Sequence, residues 1–482
     1  MEEEQVVVLT ADATSVVSPV PAPAEKELPV MVPAPVEKEL PVMIPAPEKV
    51  AEEEKAIVSN FPEPERKALD ELKQLVRQAL EKRELMEVKL DEVKEAKLEE
   101  KKMDSAETEG TLMGDHQEED GARTVEAIQE TIVAVQPPEE VFLWGVPLPA
   151  DERTDVILSK FLRARDFNVS EAFSMVKDTV RWRREFGVEE LLEEDLGFGS
   201  DLDKVVFMHG HDKEGHPVCY NVYGEFQDNE LYGKVFADEE KRAKFLRWRI
   251  QFLERSIRKL DFGPGGVSTI IQVNDMKDFP GLGKKELRQA TSQALQVLQD
   301  NYPEFLAKQV FINVPWWYLA FYKMISPFMT QRTKSKFVFA GPLKTADTLS
   351  WYIAAEQVPV QYGGLSKDGE FGVADAVTEI TVKPASKHTI EFPITEASLL
   401  SWEVRVVGWE VRYAAEFTPS AAESYTVIIQ KPRKVAAAGE EPVICSSFKA
   451  GEPGKLVITI DNPSTKKKKL LYRSKAKPIS CA

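Results

Sequence analysis

The stretch that decides the fold is residues 309–341, QVFINVPWWYLAFYKMISPFMTQRTKSKFVFAG. Two short apolar runs, 310–314 and 337–340, are typical of strands in a sheet that is covered on both faces. Between them, residues 316–328 are apolar on every side of a predicted helix, with one lysine and one serine as the strong interruptions. Such a helix must be buried or must face something apolar that is not protein. At about 1.5 Å per residue it spans roughly 20 Å, too short to cross a bilayer, so it is either a core helix or a lid over an apolar cavity.

Around this stretch, predicted strands and helices alternate. Strands at 267–273, 310–314 and 336–340 are separated by helices at 284–300 and 316–329. This alternation predicts a parallel or mixed sheet with helical crossovers.

Upstream of the alternating region, the pattern is helical and then forms a hairpin. Amphipathic helices are predicted at 151–166 and 170–186, and two apolar runs flanking a polar turn predict a β-hairpin at 205–222. We therefore predict a small helical subdomain at 141–195, followed by an α/β domain at 196–372.

From residue 376 the hydrophobic period changes to two, and helical patterns cease. This change predicts an all-β sandwich over residues 376–478. Near its end a run of four lysines stands beside two leucines, which suits an anionic membrane or a partner at about 1 kcal/mol per basic residue near the surface. The alternative is a solvated strand end. The predicted patch consists of Lys466, Lys467, Lys468 and Lys469.

The acidity of the chain is confined to its first part. The net charge is −18 overall, but residues 1–140 hold 16 basic and 35 acidic residues, which leaves 46 and 45 in the remaining 342. This balance argues against nucleic acid as a partner, because nucleic-acid binding needs a basic footprint. Three scattered cysteines encode neither a disulfide framework nor a zinc site, so we expect a reducing, cytosolic compartment and no metal.

Residues 1–140 form a predicted N-terminal tail. A proline-rich repeat returns every 12 residues from position 21, and such segments bury too little apolar surface to fold. Within 65–102 the charges alternate in sign at helical spacing, which predicts a charged helix, either free or induced by a partner. The tail is interpreted as a docking or phosphorylation segment, with a solvated spacer as the alternative.

One arginine of the first predicted helix is a candidate for a binding site. Ile157, Phe161 and Arg165 lie four residues apart, on one ridge of that helix. A charge drawn inward with apolar neighbours needs an anionic partner. By contrast, the sequence carries no nucleophile elbow and no Walker A loop, so we do not expect an enzyme and name no catalytic residue.

Seven motifs occur together and in order between residues 161 and 364. They are FLRARDFNVSEA, RWRREFG, DKEGHPV, NYPEF, FINVPWW, SKFVFAG and VPVQYGG. With these motifs, the region 140–372 resembles a CRAL-TRIO lipid-binding domain of the phosphatidylinositol-transfer type, and the β-rich end resembles a GOLD domain. An acidic tail followed by these two domains is similar to the patellins, a group of plant proteins.

The resemblance implies a cavity that holds one phospholipid and is closed by a mobile gate helix.

 In this family the phosphatidylinositol headgroup is held by an arginine, a glutamate, a threonine and a lysine. The resemblance assigns these roles to Arg165, Glu304, Thr333 and Lys336. Their chemistry is suitable, because basic groups match a phosphate and the other two suit inositol hydroxyls. The alternative is a structural salt bridge between Arg165 and Glu304.

The resemblance also identifies the helix at 316–329 as the gate. Its aromatic start suits a membrane interface, so gate opening against a bilayer would couple membrane contact to lipid entry. The family's phosphatidylcholine pocket is not matched, because Met208, Cys219, Ile270 and Gln272 stand where some members carry tyrosines and a Ser/Thr pair. The gate and cavity residues are Trp316, Trp317, Leu319, Phe321, Tyr322, Ile325 and Phe328.

The expected function is that of a phosphoinositide-binding, peripherally membrane-associated carrier or adaptor in membrane trafficking, with cell-plate formation during cytokinesis as the family expectation. We expect phosphatidylinositol or a phosphoinositide as the bound lipid, protein partners through the GOLD domain and the tail, and a monomer. The expected location is the cytoplasm and the plasma membrane, cell plate or endosome. The alternative is a protein-interaction adaptor whose lipid pocket is structural.

Overall fold

A computed structural model describes most of the chain from residue 61 onward. Within that part, it gives three folded regions: a helical subdomain, an α/β domain and a β-sandwich. The side chains of residues 331–333 are not described. The described residues are 61–85, 140–149, 151–280, 284–315, 318, 331–408, 410–421, 423–435 and 442–479.

Within residues 61–85, 140–149 and 151–195, the helical subdomain shows four helices and a short hairpin. Asp151 begins the second helix as predicted, since its carboxylate accepts a hydrogen bond from the backbone N–H of Arg153 at 2.9 Å. Gly187 ends the third helix in the left-handed conformation, with φ of 67°. The elements are α1 (Glu63–Glu81), β1 (Val141–Leu143), β2 (Val146–Leu148), α2 (Glu152–Ala164), α3 (Val169–Phe186) and α4 (Val188–Leu191).

Helix α1 corrects the predicted domain boundary. The helix overlaps the predicted segment 65–102, beginning two residues before it, but it is part of the folded subdomain rather than of a disordered tail. Leu72 and Val76 are fully buried in the same core as Ile157 of α2. The ammonium of Lys73 also lies 2.6 Å from the carboxylate of Asp155. The remainder of the predicted tail, 1–60 and 86–139, lies outside the described residues.

The α/β domain is built on one five-stranded mixed sheet with the order β3-β4-β5-β6-β7. β3 and β4 form the predicted antiparallel hairpin, and the other neighbours are parallel. The strands are β3 (Val206–His211), β4 (Pro217–Val222), β5 (Ile270–Asp275), β6 (Leu306–Ile312) and β7 (Phe337–Phe339). The helices are α5 (Asn229–Phe236), α6 (Glu239–Ile257), α7 (Lys285–Asn301), α8 (Gln331–Lys336) and α9 (Thr345–Tyr352).

The two faces of this sheet differ in chemistry. One face is apolar and packs with Leu349 of α9, through residues such as Tyr220, Val273, Val310 and Val338. The opposite face is called the inner face, and strand register fixes its composition. One row across the inner face is Cys219, Gln272, Gln309 and Phe337, and the next is Asn221, Asn274, Phe311 and Phe339.

The predicted gate helix lies outside the described residues except for one residue of its first turn. Tyr318 packs on the inner face, with its ring centroid 6.1 Å from those of both Phe311 and Phe339. The predicted gate and cavity residues, Trp316, Trp317, Leu319, Phe321, Tyr322, Ile325 and Phe328, lie outside the described residues.

The C-terminal region is the predicted all-β sandwich. Its two antiparallel sheets have the orders β13-β10-β15-β8 and β12-β11-β14-β9. Trp402 is 1% exposed in its core and donates a hydrogen bond to the hydroxyl of Tyr413 at 2.9 Å. The strands are β8 (Thr378–Val382), β9 (Ser386–Ile394), β10 (Ser398–Val407), β11 (Val411–Pro419), β12 (Val427–Val435), β13 (Ile444–Ala450), β14 (Gly454–Asn462) and β15 (Lys468–Pro478).

The sandwich packs directly against the end of the α/β domain. Leu365 is fully buried in a small apolar cluster with Val443 and Leu471 of the sandwich. The Arg405 guanidinium donates to the carbonyls of Val360 and Gly364 at 2.6 and 2.7 Å. These contacts close the outer side of the sheet that contains β10 and β15.

Candidate functional site

Glu304 is held in a strained position at the start of β6. Its φ of 53° lies in the left-handed region, which is unfavourable for a residue with a Cβ. Tyr302 and Phe305 on either side of it are buried in the core of the helical subdomain. Because these two buried neighbours hold the backbone of Glu304 in this conformation, the tertiary fold sets the direction of the glutamate side chain.

Lys336 is the partner of Glu304. It ends α8 immediately before β7, and β7 lies beside β6, so both residues lie at the amino ends of neighbouring parallel strands. The Lys336 ammonium lies 2.7 Å from the Glu304 carboxylate, and each side chain is only 9% exposed. Two of the four predicted headgroup residues are therefore brought together as a buried ion pair.

Lys160 is a third charged residue of this cluster and was not predicted from the sequence. Its side chain is 3% exposed, and its ammonium donates to the carbonyls of Glu304 and Ser268 at 3.0 and 2.9 Å. The ammonium also lies 4.7 Å from the ring centroid of Phe305. The available signal was its spacing, because Lys160 follows the core residue Ile157 by three positions and so shares its side of α2.

A second buried network includes Tyr302, two residues before Glu304. The Arg183 guanidinium binds both oxygens of Glu254, at 2.6 and 3.0 Å, and the Tyr302 hydroxyl donates to Glu254 at 2.7 Å. Burial opposes the charge of Arg183, but the attraction of Glu254 outweighs it and raises the pKa of Arg183. Burial also raises the pKa of Tyr302, with Glu254 adding to the effect, so this hydroxyl keeps its proton and donates.

Arg165 does not join Glu304 in this structure. Helix α2 ends at Ala164, and Arg165 already has a non-helical φ of −123°, so the four-residue spacing no longer sets its direction. Its guanidinium donates to the carbonyl of Ala164 at 3.2 Å. It lines a surface pocket together with Asp178 and Asp300. The alternative prediction, a salt bridge between Arg165 and Glu304, is not formed among the described residues, and the headgroup role of Arg165 stays a prediction.

The fourth predicted headgroup residue, Thr333, lies in α8 as far as its backbone is concerned. Its side chain lies outside the described part of the structure, so its assignment stays a prediction.

The predicted lysine patch is smaller than expected, because β15 begins at Lys468. The Lys468 side chain is buried, and its ammonium donates to the carbonyl of Gly408. Lys469 is half-buried and binds the Glu379 carboxylate and the Ser350 hydroxyl, both at 2.8 Å. The structure thus corrects the patch to Lys466 and Lys467, which are exposed.

The described residues contain neither a metal-binding cluster nor a membrane-spanning helix. No group of three or more His, Cys, Asp or Glu side chains is placed to hold a metal ion in the described part of the chain. Among the helices described, none combines the length and the apolar character needed to cross a membrane.

Comparisons with known proteins agree with this architecture. Family models match the chain in three places: the CRAL/TRIO N-terminal domain at residues 68–178, the CRAL/TRIO domain at 202–364 and the Patellin-1-like C-terminal GOLD domain at 383–469. The first of these matches includes most of α1, in accord with its place in the folded subdomain.

Similar proteins cover much of the chain. Patellin-3 of Arabidopsis thaliana is 64% identical over 71% of this chain and 70% of its own length, and Patellin-5 of the same plant is 61% identical over 74% and 54%. The chain thus spans between about half and seven tenths of these relatives. A phosphatidylinositol transfer protein of Meyerozyma guilliermondii is 29% identical over 44% of this chain and 65% of its own. The crystal structure of Sfh5 is 22% identical, covers 49% of this chain and 85% of its own, and has a TM-score of 0.38. The chain belongs to the patellin family, with a CRAL/TRIO domain followed by a GOLD domain.

Proposed function

We propose that this protein binds a phosphatidylinositol lipid, or a phosphoinositide, in its CRAL/TRIO domain and works at membrane surfaces as a carrier or adaptor in membrane trafficking. Cell-plate formation is the process we propose for it. The GOLD domain and the N-terminal tail would contact the membrane or protein partners, and the predicted gate helix at 316–329 would open the lipid cavity.

The observation that carries this proposal is the buried cluster of Lys336, Glu304 and Lys160. Its formal charges sum to +1 when all three groups are ionised, which favours an anionic ligand. A phosphate could bind the two ammonium groups, while the carboxylate accepts hydrogen bonds from inositol hydroxyls. A relative at 29% identity is named a phosphatidylinositol transfer protein, which supports the same choice of lipid.

The most direct test is to identify lipid carried by the full-length protein purified from its native tissue. Native mass spectrometry should find one phosphatidylinositol or phosphoinositide molecule per chain. A cavity that is empty, or filled with unselected lipid in proportion to the cell's content, would contradict the proposal.

A matched pair of variants tests the cluster itself. Lys336→Met combined with Glu304→Gln removes both charges together, because removing one alone leaves a buried charge unpaired and destabilises by about 3–5 kcal/mol. We expect a folded protein that extracts phosphatidylinositol from vesicles at least about tenfold less well. The control is Lys455→Met with Glu391→Gln, an exposed Lys–Glu pair at 2.9 Å in the GOLD domain. If the double variant and its control extract phosphatidylinositol equally well, Lys336 and Glu304 do not bind the headgroup.

The second candidate is an adaptor whose cluster is structural. The observation that favours it is the Lys336–Glu304 distance of 2.7 Å, since the two charges already satisfy each other within the protein. In that case the double substitution changes stability but not vesicle extraction, and partner capture by the GOLD domain is unaffected by lipid.

A further inference from the structure

The inner face of the sheet has a polar half that the proposed headgroup cluster does not use. On β4 and β5 the inner-face residues are Cys219, Asn221, Gln272 and Asn274, whereas on β6 and β7 most of them are aromatic. Gln272 is in the middle of the central strand and yet is partly exposed, so open space lies above it. Polar residues facing such space are suited to bind a polar ligand group.

Arg249 of helix α6 reaches this polar half. Its guanidinium donates to the Asn221 side-chain oxygen at 2.8 Å. It also lies close enough to lower the pKa values of the Cys219 thiol and the Tyr223 hydroxyl, although burial raises both overall. Cys219, Asn221 and Tyr223 are spaced two residues apart in and just after β4. The Arg249 side chain therefore lies alongside the end of that strand.

The charge of Arg249 is not neutralised by a carboxylate among the described residues. Asp275 is the nearest acidic residue along the inner-face strands, but alternation along β5 turns it to the opposite face. There it accepts a hydrogen bond from the Asn313 amide at 2.7 Å. Arg249 is partly buried, so its charge is only partly screened by solvent and can attract an anionic ligand group.

Hydrogen-bond chemistry fixes how the amides next to Arg249 are oriented. A guanidinium is a donor only, so Asn221 must present its oxygen to Arg249. The Asn221 amide nitrogen then donates to the Asn274 oxygen, at 3.1 Å. Asn274 is left with its own amide N–H groups, and these donate to no side chain among the described residues. Arg249 and Asn274 are thus both donors, and a ligand here must be an acceptor.

This position is separate from the Lys336–Glu304 pair. Phe337, the residue after Lys336, is in register with Cys219 across β6 and β5. Asn221 is therefore three residues further along the strands than Lys336 and three strands away. With a rise of about 3.3 Å and a strand spacing of about 4.8 Å, the separation is roughly 17 Å. A single headgroup cannot contact both places.

We infer that Arg249, with Asn221 and Asn274, forms a second binding position on the inner face for the compact anionic group of a lipid, a carboxylate or a phosphomonoester. Arginine's planar fork matches the oxygens of either group. A positive charge next to Cys219 also disfavours a choline headgroup there. This inference rests on the proposed function, because it requires lipid to enter the same cavity.

The test is displacement of a fluorescent fatty acid, 12-(9-anthroyloxy)stearate, from the full-length protein. Oleate and lysophosphatidic acid are the two anionic competitors, and methyl oleate and monoolein are their uncharged counterparts. The variant is Arg249→Gln, because glutamine keeps an amide donor for Asn221 while it removes the charge. We expect about tenfold weaker competition by oleate, by lysophosphatidic acid or by both, with the uncharged lipids unchanged. Whichever anion is affected identifies the carboxylate or the phosphomonoester as the ligand.

Two further variants make the result specific. Arg249→Lys retains the charge and should retain most of the anion preference, and Lys244→Gln removes an exposed charge from the same helix and should change nothing. Equal effects of Arg249→Gln on charged and uncharged lipids, or no effect, overturn the inference, as does a wild-type protein that binds neither anion. If the wild type extracts phosphatidylinositol in those cases, the proposed function stands; if it binds no lipid at all, both fail.

Discussion

The Arg183–Glu254–Tyr302 network gives the sharpest test of how the candidate site is held in place. The perturbation is Glu254→Gln, which keeps the shape of the side chain and removes its charge. Glu254 is fully buried and accepts three hydrogen bonds, two from Arg183 and one from Tyr302. Glutamine offers one acceptor oxygen in place of two, and its NH₂ group would face a guanidinium N–H.

The magnitude follows from what is left unpaired. Arg183 is 6% exposed, so its charge stays buried when that of Glu254 is removed. Breaking a buried pair in this way destabilises by about 3–5 kcal/mol. We expect a value near 3 kcal/mol, because Glu189, 3.2 Å from Arg183 and half-exposed, still offers partial compensation.

The assay is urea unfolding followed by circular dichroism, with the unfolding free energy compared between the wild type and the variant. The control is Glu240→Gln on the same helix, where the glutamate is exposed and pairs with Lys244 at 3.0 Å; little change is expected there. A loss below about 1 kcal/mol for Glu254→Gln would refute the argument, since it would place the Arg183 charge in contact with solvent.

Other predictions follow from the same contacts. Leu72→Ala in α1 should destabilise the protein by about 2–5 kcal/mol, while Gln74→Ala at an exposed position should not. Equal unfolding free energies for the two variants would show that α1 is not part of the folded core. Arg405→Met leaves two domain-interface carbonyls unpaired and should lower the unfolding free energy by about 1–3 kcal/mol per carbonyl, with exposed Arg412→Met as control. Burial raises the pKa of Asp212, but its bonds with His216 outweigh this and hold that pKa below 3.8. Its contribution to stability is therefore present above pH 3.8 and lost as the pH falls through the folded-state pKa, so Asp212→Asn should flatten the acid end of a stability–pH curve.

The general architecture could be predicted because long periodic segments dominate it. The capped helix beginning at Asp151, the hairpin and the alternating strands are all in the structure. The lysine run at the start of β15 was predicted less well. In β15 the adjacent Leu470 and Leu471 are both buried, since one faces the sandwich core and the other faces the α/β domain. A strand covered on both faces does not alternate, and the lysines before it were therefore interpreted as surface residues.

The site was predicted in part, and the reason is geometric. Glu304 and Lys336 come from motifs at the amino ends of two strands, and parallel pairing brings such ends together. The inward direction predicted for Arg165 rested on a helical spacing that stops applying one residue earlier, where α2 ends. Lys160 was passed over because a lysine is seldom buried, and only the tertiary fold supplies the carbonyls that accept its hydrogen bonds.

The hydrophobic pattern of the sequence changes near residue 372, but the two domains on either side of this boundary are packed together and are not independent. Arg473 of β15 is 4% exposed and binds Glu403 within the sandwich at 2.7 Å. The same guanidinium donates to the carbonyls of Leu365 and Gly372, both at 2.8 Å. Without the sandwich these carbonyls lose their donor, and Leu365 loses its apolar cover. The segment that closes the CRAL/TRIO domain is therefore stabilised by the GOLD domain.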